Sequence, residues 1–199
     1  MRRQPLLASL AALLVLAAPS ARGAEWALAD ERRMAADAAS FAPPDFKRQL
    51  AKQSRRLMQG VSDAAAGEAG TRDEAAHRAA AARGARALAE SIRRHTPFDE
   101  IAYQAGGIVH ELARAQAPQS AVPAGTSANA HFLGFSREPF AAPETLAAAA
   151  LPSATARDRY DAAVTLATRL LAWVWKTAGG DASSVTQYPA AKGPYVVGE

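Results

Sequence analysis

Four histidines, His77, His95, His110 and His131, are the residues best suited to chemistry near neutral pH. Neutral imidazole is a common nitrogen ligand for zinc, and with carboxylates nearby these side chains could build one metal site. Asp73 and His77 stand at i and i+4, the one pair with clean ligand spacing on a helix. His110 is followed at once by Glu111 and, four residues on, by Arg114, a cation where a second ligand would serve best. His131 sits in a Phe-rich stretch, His-Phe-Leu-Gly-Phe. The candidate metal ligands are therefore His110, His77, His131, Asp73 and Glu111, and the candidate cofactor is zinc or none. His95 lies beside Arg93 and Arg94 at a helix end, where a cation meets the helix dipole, and reads as structural. The chain has no cysteine, no G-x-S-x-G turn and no phosphate-cradling glycine loop. That excludes a thiol nucleophile, a disulfide framework and the common nucleotide-binding signatures.

The element that positions His110 runs from Thr96 to Pro118. Thr96 is placed to cap it, Pro97 suits the first helical position, and Asp99 favours its N-terminal dipole. Phe98, Ile101, Ala105, Ile108 and Leu112 form an apolar stripe at helical spacing. Tyr103, Gly107, His110 and Arg114 form a second stripe, and together with Trp26 they are the candidate cleft-lining residues. A core helix needs only the first stripe; the second predicts the close approach of another element or a ligand. His77 belongs to an Ala-rich helix from Thr71 to about Arg94, with Thr71 and Glu74 spaced as a capping box.

The remaining elements follow the same logic. Glu25–Ser40 predicts a first helix with Trp26 and Met34 inward, and Pro43-Pro44 ends it. A second helix is expected from Pro44 to about Gly60, with Phe46, Leu50, Leu57 and Val61 on one face. Lys47, Arg48, Lys52, Arg55 and Arg56 occupy the rest; they could hold an anion, although solvated faces usually look this way. Ser62–Gly70 reads as a loop. Residues 118–155 are Pro-rich, with a short helix over Ala142–Leu151, and a wide-faced helix runs from Thr155 to Ala178. The expected architecture is all-α: a single-domain bundle of about five main helices.

The first 23 residues read as a secretory leader. Arg2 and Arg3 precede the apolar run Leu6–Ala18, and Ala21 and Gly23 offer a small-residue cleavage site. The domain is expected over residues 24–180 and an extended or disordered tail over 181–199. Export implies a periplasmic or secreted protein with no membrane span once the leader is gone. Loss of Arg2, Arg3 and Arg22 lowers the formal charge of +4 by three. What remains is no nucleic-acid footprint.

Three stretches carry a family resemblance. PFDEIAYQAGGIVHELARAQAP (97–118) resembles the segment of zinc-dependent phospholipase C and the zinc-dependent single-strand nucleases in which a helix carries a Gly, a ligand His, an Asp four residues later and a Pro. FAPPDFKRQLAKQSRRLMQGVSDA (41–64) and ARDRYDAAVTLATRLLAWVWKTAGG (156–180) are similar to the family's early segment and closing helix. The resemblance implies an all-α fold and a zinc-dependent phosphoric ester hydrolase. Three departures stand against activity: Arg114 replaces the expected Asp, Glu31 stands about where a first-helix His belongs, and Trp26 is not the first mature residue. The family's three zinc ions need about nine ligands, which this chain does not supply by pattern. The expectation is a degenerate, non-catalytic member that binds an unknown protein or a phosphate-containing ligand. A hydrolase with a reduced metal site and an unrelated periplasmic helical bundle are the alternatives.

Overall fold

The computed structural model describes residues 25–68, 70, 72–117, 131–132, 141–183 and 195–196. The leader expected at 1–23 and most of the tail lie outside them. The described chain is helical: α1 (Leu28–Phe41), α2 (Pro44–Lys52), α3 (Ser54–Gly67), α4 (Glu74–Arg93), α5 (Phe98–Ala115), α6 (Pro143–Ala147) and α7 (Ala156–Thr177). Beside the helices, β1 (His131–Phe132) and β2 (Tyr195–Val196) form a two-residue antiparallel pair. No helix among the described residues is long and apolar enough to cross a membrane.

α5 and α7 carry the core. The predicted stripe of α5 is buried at Ile101, Ala105, Ile108 and Leu112, and Tyr160, Val164, Leu166, Leu170, Leu171 and Val174 of α7 join it. α3 and α5 run side by side in the same direction, because residues 57–61 face 103–106 while Glu68 reaches Arg114. Two glycines make the contact possible. A Cβ at Gly60 would lie 1.9 Å from the Tyr103 carbonyl oxygen, and one at Gly106 would lie 2.2 Å from that of Leu57. The close approach anticipated on the Gly107 stripe therefore falls on Gly106, one residue earlier. Gly107 faces open space.

Several boundaries depart from the pattern. The single helix expected over Pro44–Gly60 breaks at Gln53 (φ −110, ψ 25), whose N–H is shared between the Gln49 and Leu50 carbonyls. The Ser62–Gly70 loop is mostly helix, since α3 continues through its alanines to Gly67. Alanine propagates a helix well, and Gly60 is held by packing and does not act as a stop. α4 is capped by Asp73, whose carboxylate accepts from the Ala76 N–H at 2.7 Å; Thr71 lies outside the described residues. α4 ends at Arg93 with Arg94 as its cap, and His95 just beyond takes a left-handed conformation (φ 58). α5 then starts one residue late, with Pro97 at the cap position and no side-chain cap from Thr96. Thr155 and Asp158 form a full capping box on α7.

α1 is fixed to α7 by the Tyr160 hydroxyl, which donates to Asp37 at 2.6 Å. Burial raises the Asp37 carboxyl above its ordinary 3.8, more than the Tyr160 hydrogen bond and Arg33 lower it. The folded state thus holds that proton more tightly than the unfolded chain. Its contribution is complete below pH 3.8 and is lost as pH rises through the folded value.

Two predictions follow from this packing. Gly106→Ala is expected to cost about 1–3 kcal/mol or more by overpacking, whereas Gly107→Ala should gain about 0.5–1 kcal/mol from helix propensity; urea melts distinguish them. Asp37→Asn, which keeps an acceptor for Tyr160, should melt above the parent protein at pH 7, and the gap should close on acidification below the ordinary Asp value.

Candidate functional site

Four helix ends bring two histidines, three glutamates and two arginines into one buried cluster. α1 supplies Glu31 from its first turn, and α4 supplies His77 from its own first turn. α5 supplies His110, Glu111 and Arg114 within little more than one turn, and Glu68 is the C-cap residue of α3. His77 is 3% exposed and His110 1%.

Each imidazole stands between two carboxylates. His110 Nδ1 lies 2.8 Å from Glu31 Oε2, and His77 Nδ1 lies 2.8 Å from Glu111 Oε2. A carboxylate only accepts, so Nδ1 is the donor in both pairs. The two Nε2 atoms point at one residue: His77 Nε2 is 3.3 Å from Glu68 Oε1 and His110 Nε2 is 3.6 Å from Glu68 Oε2. His110 Nε2 and Glu68 Oε1 are buried and make no hydrogen bond among the described residues. A bare Nε2 lone pair facing a carboxylate is unfavourable; a proton or a cation between them removes the conflict.

Arginines close the cluster. Arg114 Nε donates to Glu68 Oε2 at 3.0 Å, and its other end reaches Glu25 Oε1 at 3.0 Å. Burial opposes the Arg114 charge, but Glu25, Glu68 and Glu31 outweigh it and hold the guanidinium above its ordinary pKa. Arg72 meets Glu111 Oε1 at 2.9 Å and lies 3.8 Å from Glu68 Oε1. Within the cluster Glu31, Glu68 and Glu111 face Arg72 and Arg114, and Glu25 meets Arg114 from its exposed side.

The predicted site residues separate into three groups. His77, His110, Glu111 and Arg114 meet in the cluster. Asp73 does not: its carboxylate caps α4. His131 is described by its backbone alone, in β1. Trp26 is core, its indole N–H donating to the Gln116 carbonyl at 3.1 Å and its ring set edge-on to Tyr160. Tyr103 serves the α3–α5 seam, with the Arg56 guanidinium 5.0 Å above its ring. Gly107 opens onto a groove of 360 Å³ between α3, α4 and α5, lined also by Ala64, Gly84 and Gln104 and bounded by Glu111. Glu68, the hub, was hidden in a presumed loop. Its signal was being the lone charged residue in the small-residue run Ala64–Gly70.

A three-zinc cluster does not fit this arrangement, because both Nδ1 atoms already hold carboxylates and Arg114 occupies one edge of Glu68. Among the described residues no three His, Asp or Glu side chains stand together at metal-liganding spacing. A single ion could use His77 Nε2, His110 Nε2 and Glu68 Oε1 after a shift of the Glu68 carboxylate. No family model, no curated protein and no solved structure matches the chain.

Removing Arg114 leaves Glu68 buried without its guanidinium. Arg114→Ala should therefore cost about 3–5 kcal/mol in urea unfolding, against about 0.5 kcal/mol or less for Arg48→Ala, whose pair with Asp45 is on the surface. Glu68→Gln in the Arg114→Ala background should recover part of the loss, the signature of a coupled pair.

Proposed function

We propose that the chain is an exported helical protein that keeps the frame of a zinc hydrolase centre, as in the phospholipase C and single-strand nuclease family it resembles, and acts by binding. Arg114 carries this reading: its guanidinium stands on Glu68 at 3.0 Å, so a covalently attached cation takes a metal's electrostatic place. A fixed arginine balances carboxylates but supplies no open coordination position and no activated water. The groove beside Glu111 gives a partner or a phosphate-containing ligand a route to the edge of the cluster.

A second reading is a hydrolase with one metal ion. It is favoured by His110 Nε2 and Glu68 Oε1, which make no hydrogen bond among the described residues, and by the Glu31–His110 and Glu111–His77 pairs. Carboxylates on Nδ1 are the usual outer partners of histidine ligands. A zinc ion held there would polarise a phosphoryl oxygen and lower the pKa of bound water.

Metal analysis after dialysis against zinc separates the two. The first reading expects substoichiometric zinc in the parent protein and zinc affinity raised on the order of tenfold or more in Arg114→Asp, a change of the size seen when a metal's surroundings are altered. One zinc per chain in the parent, lost in His110→Ala together with hydrolysis of bis(p-nitrophenyl) phosphate, would overturn it in favour of the second.

A further inference from the structure

A separate groove lies where α1, α2 and α3 meet, and no residue lining it belongs to the buried cluster. Its volume is 270 Å³, room for about nine waters. Leu50, Leu57 and Ala39 make a buried floor, with Met58 beside them. The break at Gln53 separates α2 from α3, and residues of both helices line this space together with Ala36, Ala39 and Ser40 of α1. Lys47, Ala51 and Ser54 form an exposed lip.

The charge around that lip is unbalanced. Arg48 is engaged by Asp45, and Arg56 by Asp99 and Glu100. Lys47, Lys52 and Arg55 are exposed and have no acidic partner among the described residues. The nearby acid of α1, Asp37, accepts from Tyr160 on α7. Lys47 can lay its aliphatic stem along the apolar wall and keep its ammonium at the mouth. An apolar slot with one convergent cation is the pattern of a site for an amphiphile, in which burial supplies affinity and the charge fixes orientation.

We infer that the α1–α2–α3 groove binds the alkyl chain of a free fatty acid, with its carboxylate held by Lys47. A free acid brings one chain for the apolar wall and one carboxylate for the one lysine that lines the groove. This site is independent of what the histidine cluster does.

Calorimetric titration of the purified protein with decanoate, below its micelle concentration, tests the assignment. Saturable binding of one decanoate per chain is expected, with the Met58 methyl resonance shifting on titration. Lys47→Glu should weaken decanoate binding about tenfold or more while leaving 1-decanol unchanged. Ala51→Trp, which fills the lip, should weaken both ligands. Both positions are exposed, and far-UV circular dichroism checks that each variant keeps its fold. Absence of saturable binding by the parent protein, or decanoate binding in Lys47→Glu equal to the parent's, overturns the proposal. So does sedimentation with phosphatidylglycerol vesicles in place of one-to-one decanoate binding, which would assign the basic lip to a bilayer surface.

Discussion

A carboxylate with almost no access to water sets the terms for this fold. Glu68 sits at the C-terminal end of α3, where the helix dipole is itself negative and a second negative charge is opposed. The chain surrounds it with Arg114 and Arg72 and with the inward edges of His77 and His110. Those partners come from two other helices and the turn between α3 and α4. Glu31, on a third helix, holds His110 from behind. The charge at the end of one helix thus meets groups of two other helices directly, and α1 through His110. Pairing of this kind adds little net stability over an apolar core of equal volume.

The glycines determine whether that geometry can exist. Gly60 and Gly106 let the α3 and α5 backbones touch, which fixes their relative height along the bundle. Height is what brings Glu68 level with His110 and Arg114. A thicker seam would move the end of α3 away from both and leave the carboxylate without its guanidinium. Packing at one end of the helix pair therefore controls electrostatics at the other.

The apolar periods were legible from sequence because burial follows spacing directly. Phe46, Leu50, Leu57 and Val61 are all inside, as are the main rows of α5 and α7. Most of the helix starts were less legible, since neighbouring residues compete for one cap. Asp73 serves where Thr71 was spaced equally well, and Pro97 stands at the cap that Thr96 suggested. His77 and His110 carried a visible chemical signal, as did Glu111 beside His110, but the pairing of Glu111 with His77 and the place of Glu68 between the two imidazoles did not. Glu31, Glu68 and Glu111 sit on three helices, and only tertiary packing brings them together. The i, i+4 rule pointed from His77 to Asp73 because it sees a single helix, whereas the actual partner is on the next one.

The hydrogen bond from Trp26 to the Gln116 carbonyl spans 90 residues of sequence. Three more ties of α1 are long-range, Glu31 to His110, Asp37 to Tyr160 and Ala38 to Thr168, beside a nearer one from Arg32 to Ser62 on α3. Most of the hydrogen bonds that secure α1 thus wait for segments far along the chain. Loop-closure entropy must be met before any of these contacts forms. Until Gln116 and Tyr160 are in place, Trp26 lacks both its hydrogen-bond acceptor and its aromatic neighbour. Along a vectorial path, α1 completes these contacts only after α7 has formed. The chain is most exposed to aggregation and to proteases during that interval.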